Sequence, residues 1–151
     1  MKCIVTGGAG FIGSHLVDYL LEEGAEVKII DDLSTGNEDN INASAEFICE
    51  DLNSIDLKEQ FKSYDYVFHL AALPRIQPSF EFPMEHHIAN IDVTLKILEA
   101  AKETGIKKVV YSGSSSIYGN PEGIPTSENE KVNNLNPYSL QKYTSEQYGL
   151  L

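Results

Sequence analysis

The segment Thr6-Gly7-Gly8-Ala9-Gly10-Phe11-Ile12-Gly13 constrains this chain more than any other feature. A short apolar run, residues 2–6, leads into it, and a stretch of helical period follows it. Where a strand passes directly into a helix, such glycines have separate mechanical roles. They allow a tight turn, close approach of backbone to a pyrophosphate, and close packing of helix on strand. The unpaired N–H groups and the dipole at the helix N-terminus then favour the anion. The spacing fits both the 8, 10, 13 and the 7, 10, 13 forms of the pattern.

The remaining periodicity agrees with a chain of βαβ units. Short runs at residues 2–6, 26–30, 46–49, 66–70 and 108–112 alternate with segments of helical period, the signature of a parallel sheet. Ile12, Leu16, Tyr19 and Leu20 form a stripe on a first helix ending near Gly24. Ile88, Ile91, Leu95 and Leu98 do the same on a long helix ending near Gly105; each stripe is expected to cover one sheet face. Residues 119–136, with Pro121, Pro125 and five Asn, read as a long loop, and a last helix begins at about Pro137 and is still running at Leu151. At 151 residues the chain is expected to be one domain, 1–151, burying roughly 70% of its unfolded surface.

Charge narrows the partners. Eleven Lys+Arg against 23 Asp+Glu leave −12, and Arg75 is the only arginine; nucleic-acid backbones and anionic membranes need clustered cations, so neither is an expected partner. No apolar run reaches the ~20 residues that span a bilayer, and no cleavable signal opens the chain. A cytoplasmic protein with Cys3 and Cys49 as buried free thiols is expected. His69, His86 and His87 lack a carboxylate or cysteine to complete a metal site, and no metal is assigned.

Two further groups carry chemistry. Asp31 stands eighteen residues after Gly13, at the end of the second strand, where a carboxylate accepts hydrogen bonds from an adenosine ribose and repels a 2′-phosphate. NAD is therefore expected over NADP. Asp32 has a weaker claim, and Asp51-Leu52, after the third strand, stand where an adenine could lie. Tyr138 and Lys142 fall one helical turn apart on one face. A tyrosine titrating near pH 10 needs a shift of ~3 units, about 4 kcal/mol, to act as a base at neutrality, and a neighbouring ammonium supplies part of it. Hydroxyl donors stand nearby in the order of elements, at the end of the fifth strand, in Tyr111-Ser112-Gly113-Ser114-Ser115-Ser116.

Taken together, the glycine turn, Asp31-Asp32-Leu33-Ser34-Thr35-Gly36, His69-Leu70-Ala71-Ala72, Asn90, the serine segment and the Tyr138/Lys142 pair resemble the extended short-chain dehydrogenase/reductase superfamily, within it the NAD-dependent nucleotide-sugar epimerases and dehydratases. The resemblance covers the whole chain. It implies an α/β doubly wound parallel sheet (Rossmann fold) with strand order 3-2-1-4-5, incomplete before a substrate domain. It implies Ser114, Tyr138 and Lys142 as catalytic residues. Cofactor contacts would come from Gly7, Gly10, Phe11, Ile12 and Gly13, from Asp31, Asp32, Leu33 and Ser34, and from Asp51 and Leu52 beside the adenine. Leu70, Ala71 and Ala72 would pass beneath the cofactor, with Asn90 and Ser112 towards its nicotinamide half and Tyr138 and Lys142 also touching it. Arg75 and Ser114 would lie on the substrate side, although Arg75 reads equally well as a surface ion pair. Val93 replaces the glycine the family commonly has three residues after its helix Asn.

The expected activity is 4-epimerisation of a UDP-hexose of the glucose/galactose type through a transient 4-keto sugar, by a homodimer. UDP-N-acetylhexosamine or UDP-glucuronate epimerisation and a non-catalytic NAD-binding module are the alternatives. Relatives that eliminate water or carbon dioxide place carboxyl groups directly after the catalytic hydroxyl; Ser115 and Ser116 stand there instead, which lowers those reactions.

Overall fold

A computed structural model describes residues 1–121 and 123–151; Glu122, within the expected loop, lies outside the described residues. Five strands, β1 (Lys2–Thr6), β2 (Glu26–Ile30), β3 (Glu46–Ile48), β4 (Tyr66–His69) and β5 (Lys108–Tyr111), form one parallel sheet in the order β3-β2-β1-β4-β5. Cys3 pairs with Val27 on one side and Tyr66 on the other, so β1 is central and the strand order reverses beside it.

Helices cover both faces. Cys3 and Val5 of β1 pack with Val17, Leu20, Val27 and Ile29 under helix α1 (Phe11–Glu22). Ile4, one residue out of phase, points to the opposite face and joins Ile30, Phe61, Val67, Val93 and Ile97 beneath helices α2 (Leu57–Phe61) and, after helices α3 (Ile76–Glu81) and α4 (Pro83–His87), α5 (Val93–Thr104). Asp56 accepts the N–H groups of Lys58 and Glu59 to cap α2. Gly105 ends α5 in the left-handed region, φ 76°, as the sequence suggested.

Three expectations change. In α1 the face turned to the sheet is Gly13, Val17 and Leu20, while Ile12 and Tyr19 are exposed; the glycine lets the helix approach so closely that the stripe rotates. The long helix is interrupted by a π-helical turn, Ile88–Asp92, so its buried face is Ile91, Val93, Ile97 and Ala100 rather than Ile88, Leu95 and Leu98. Cys49 is exposed, because edge strand β3 stops at Ile48; only Cys3 is a buried thiol. Helix α6 (Pro137–Leu150) begins on Pro137, with Asn136 and Ser139 exchanging capping hydrogen bonds.

Candidate active site

The turn between β1 and α1 is tight enough to exclude side chains. A Cβ on Gly13 would lie 2.1 Å from the Gly7 carbonyl oxygen. Gly7 has φ 72°, and a Cβ there would lie 2.7 Å from the backbone nitrogen of Ala71. Helix α1 has no side-chain cap and no acidic residue in its first turn. Among the described residues the N–H groups of Phe11, Ile12 and Gly13 have no hydrogen-bond acceptor, which leaves an open cradle for an anion. The side chains of Phe11 and Ile12 project into solvent.

Asp31 is built into that cradle. Its Oδ2 accepts the Ala9 N–H at 3.0 Å and its Oδ1 the Leu33 N–H at 2.9 Å. The Ala9 carbonyl in turn accepts the Asn37 N–H at 3.0 Å and Asn40 Nδ2–H at 2.9 Å. The peptide of Ala9 is thus gripped from both sides by the segment after β2. Leu33 takes a positive φ of 60°, and Ser34 donates to Asp32 from both N–H and hydroxyl. Asn37 and Asn40 escaped sequence reasoning because their only signal is turn-like composition.

Next to this segment lies a cleft of about 270 Å³ lined by Asp31, Asp32, Ser34, Asp51, Leu52, Ala71 and Ala72, together with Glu50, Glu85 and Val93. The expected adenine-side residues therefore share one cavity. Five carboxylates around it oppose any additional phosphate. Leu70, half-buried, packs in the α1-side core.

On the other side of the reversal stand the Tyr138/Lys142 pair and the serine segment. Lys142 is buried, and its ammonium lies 4.2 Å from the centre of the Tyr111 ring. Burial pulls its pKa down to about 8. Burial also pushes the Tyr111 phenol upward; the nearby Ser145 hydroxyl works against this, and Tyr138 and Glu146 add to it. Among the described residues no group meets the Tyr111 hydroxyl in full hydrogen-bonding geometry. Ser114 caps a short 3-10 turn, Ser115–Tyr118, that packs on α6, and its hydroxyl lies 2.8 Å from that of Ser116. Ser112 donates its N–H to the His69 carbonyl at 3.1 Å.

Asn90 is held between the segment after β4 and α6. It is 2% exposed, and its amide is engaged by the Leu73 N–H at 2.9 Å, the Leu73 carbonyl at 3.2 Å and Gln141 at 3.0 Å. Its side chain pins the segment after β4 to α6. Arg75 is exposed at the start of α3 and makes no ion pair among the described residues, so the surface-pair reading gains nothing.

His69, fully buried between Thr6 and Thr94, was read in the sequence as a rejected metal ligand and as part of the His69-Leu70-Ala71-Ala72 resemblance, with no role of its own. Burial first, and the Lys142 charge second, lower its pKa to about 3. An unfolded imidazole binds a proton near pH 6.5, so below that pH the unfolded state holds more protons and stability falls. The loss should reach about 2 kcal/mol by pH 5, growing towards pH 3. Urea titrations at pH 7 and pH 5 should show it in the wild type and a smaller one in His69→Gln; equal losses would locate the effect elsewhere.

Comparison with known proteins adds the family. The family model described as "NAD dependent epimerase/dehydratase family" matches residues 3–150. UDP-glucose 4-epimerase of Mycolicibacterium smegmatis is 40% identical over 157 aligned residues, covering 98% of this chain and 50% of that protein. UDP-N-acetylglucosamine 4-epimerase from Methanobrevibacter ruminantium, solved with UDP-N-acetylmuramic acid, superposes with a TM-score of 0.92 at 43% identity, over 97% of this chain and 48% of that one. UDP-glucose 4-epimerase from Thermotoga maritima, solved with UDP-glucose, gives 0.93 at 38% identity, over 98% and 50%. The chain spans about half the length of the curated relatives it matches. With its sheet order, its glycine turn and a match along nearly its whole length, the chain belongs to the NAD dependent epimerase/dehydratase family.

Proposed function

We propose that the whole protein is an NAD-dependent UDP-hexose 4-epimerase. The observation that carries this reading is the buried Lys142 one turn from Tyr138, on a helix packed against the serine segment and the π-helical turn that bears Asn90, in a chain that also holds a dinucleotide-type cradle. A module that only binds a dinucleotide has no use for a buried ammonium next to a phenol.

The cradle fits NAD: the Phe11, Ile12 and Gly13 N–H groups would take the pyrophosphate, and Asp31, oriented by Ala9 and Leu33, would take the adenosine ribose. The acidic cleft disfavours a 2′-phosphate. When bound, NAD supplies a site that accepts hydride and gives it back. Tyr138, one helical turn from the Lys142 ammonium, takes the proton of the sugar C4 hydroxyl and later returns it to the C4 oxygen. At neutral pH Lys142, with its pKa at about 8, remains mostly charged. Ser114 donates a hydrogen bond to the C4 oxygen as the 4-keto sugar forms. Ser115 and Ser116 offer no acid or base for eliminating water, which supports epimerisation over dehydration. The exposed Leu140 on α6 supports pairing of two copies through the helices that carry Asn90 and Tyr138.

The test is product analysis by NMR with the purified whole protein. UDP-glucose and UDP-galactose should interconvert with no loss of water; a 4-keto-6-deoxy product, or no turnover of any UDP-hexose, would sink the reading. UDP-N-acetylglucosamine belongs in the same panel, because a neighbour at 43% identity is a UDP-N-acetylglucosamine 4-epimerase.

A further inference from the structure

His69 sits in the middle of a hydrogen-bonded chain whose proton positions can be deduced. The Thr94 hydroxyl donates to the Asn90 carbonyl at 2.7 Å. Its one proton is thereby used, and towards His69 Nε2, at 3.0 Å, it can only accept. Nε2 therefore carries the ring proton. In a neutral imidazole Nδ1 is then bare, so Thr6 Oγ1, at 2.8 Å, donates to it. Thr6 Oγ1 itself accepts the Ala71 N–H at 3.4 Å, the same nitrogen that closes over Gly7. At the far end, the Asn90 carbonyl accepts a second hydroxyl, from Ser145 on α6, at 2.7 Å. Donors thus run from the Ala71 N–H through Thr6, His69 and Thr94 to the Asn90 carbonyl, where the Ser145 hydroxyl of the helix that carries Tyr138 and Lys142 donates from the other side.

A second contact leads to the same place. The His69 ring lies 5.7 Å from that of Tyr111, and the Tyr111 ring lies 4.2 Å from the Lys142 ammonium. His69 is thus joined to α6 through a hydrogen-bonded path on one side and a packed ring on the other.

We propose that His69 is a positioning residue whose neutral, Nε2-protonated ring holds α6, and with it Lys142 and Tyr138, in register with the glycine turn. The role of Tyr138 as base rests on the epimerase reading; the geometry of the chain does not. The titratable groups along this path are His69 on β4, Lys142 on α6 and Tyr111 on β5, on which Tyr138 and Glu146 of α6 also act, while α4, which packs on α6, carries buried His86.

Titration of Lys142, followed by the NMR signal of its labelled Cε carbon in the whole protein, reads this register without substrate. In His69→Leu the chain is cut and the Lys142 pKa should rise from about 8 towards its ordinary 10.5 as the ammonium loses its burial. In His69→Gln, whose amide can accept from Thr6 and donate to Thr94, it should stay near the wild-type value. Thr94→Val cuts the next link at nearly constant volume and should reproduce the rise even if the leucine variant fails to fold. An imidazole nitrogen spectrum of the wild type should show Nε2 protonated and Nδ1 bare from pH 5 to pH 8. A proton on Nδ1, an unchanged Lys142 titration in Thr94→Val, or a glutamine variant that behaves as the valine one would overturn the proposal. Turnover of UDP-hexoses in the same wild-type sample tests the epimerase reading separately, since none of these readouts depends on it.

Discussion

Gly13→Ala should abolish useful NAD binding and cost about 3 kcal/mol of folding stability, the upper part of the range for overpacked interiors. The added methyl would stand 2.1 Å from the Gly7 carbonyl oxygen and 2.8 Å from the Gly8 Cα. Both obstacles are backbone, so no side chain can rotate away. The turn must open, and Gly7 cannot retreat because Ala71 lies directly against it. An opened turn displaces the Gly13 N–H group and pulls Ala9 from Asp31, so pyrophosphate and ribose contacts weaken together. A hundredfold fall in NAD affinity, about 2.7 kcal/mol, is the expected minimum. Calorimetric titration with NAD and urea unfolding measure the two losses. Gly24→Ala is the control: among the described residues nothing lies within 4 Å of an added Cβ and only its φ of 77° opposes a side chain, so stability should fall by about 1 kcal/mol and NAD binding should be unchanged. Near-normal NAD affinity in Gly13→Ala would mean that the turn does not hold the pyrophosphate.

Lys142→Met should make the protein more stable and nearly inactive. The folded state holds the Lys142 ammonium with a pKa of about 8, against an ordinary 10.5. Between those values the unfolded chain binds more protons, so wild-type stability rises as pH increases through this window. Below pH 8 the charge is present in both states and the burial penalty is at its full size, about 3 kcal/mol for such a shift. Methionine keeps most of the stem volume and removes the charge. At pH 7 the variant should therefore gain about 2 to 3 kcal/mol, and the gain should shrink towards zero above pH 10. Epimerase turnover should drop by a factor of about 10² to 10⁴, the range for losing positioned acid–base catalysis. Urea unfolding at pH 7 and pH 10, with turnover at pH 7, checks both halves. A variant less stable than wild type at pH 7 would show that the ring of Tyr111 and its surroundings favour the cation more than burial opposes it.

Much of this was legible in the residues alone. Local chemistry set the strand-turn-helix at Gly7 to Gly13, the helix stop at Gly105, the helix start at about Pro137, and the placement of Asp31 at the end of β2, and these stand in the structure. What escaped depends on approach in three dimensions. The rotation of the α1 stripe follows from how closely Gly13 meets the Gly7 carbonyl, a distance that no period encodes. The π-helical turn at Ile88–Asp92 has no composition of its own, yet it sets Asn90 inward, where its amide serves Leu73 and Gln141. The Thr6, His69, Thr94 and Ser145 chain joins residues up to 139 positions apart (Thr6 to Ser145), and none of them is unusual in its local context.

The central place of β1 has a bearing on how the chain is made. Its first partner, β2, follows within about two dozen residues, but Cys3 meets Tyr66 only after 63 more have been added. At a synthesis rate of about 5 to 20 residues per second, one edge of the central strand waits roughly 3 to 13 seconds for its neighbour. Through that interval Ile4 and Ile30 lack Val67 and Ile97, which later cover them. The nascent β1-β2-β3 unit thus leaves the ribosome with an apolar face and an unpaired strand edge, and is an expected client for chaperones that shield both until β4 arrives.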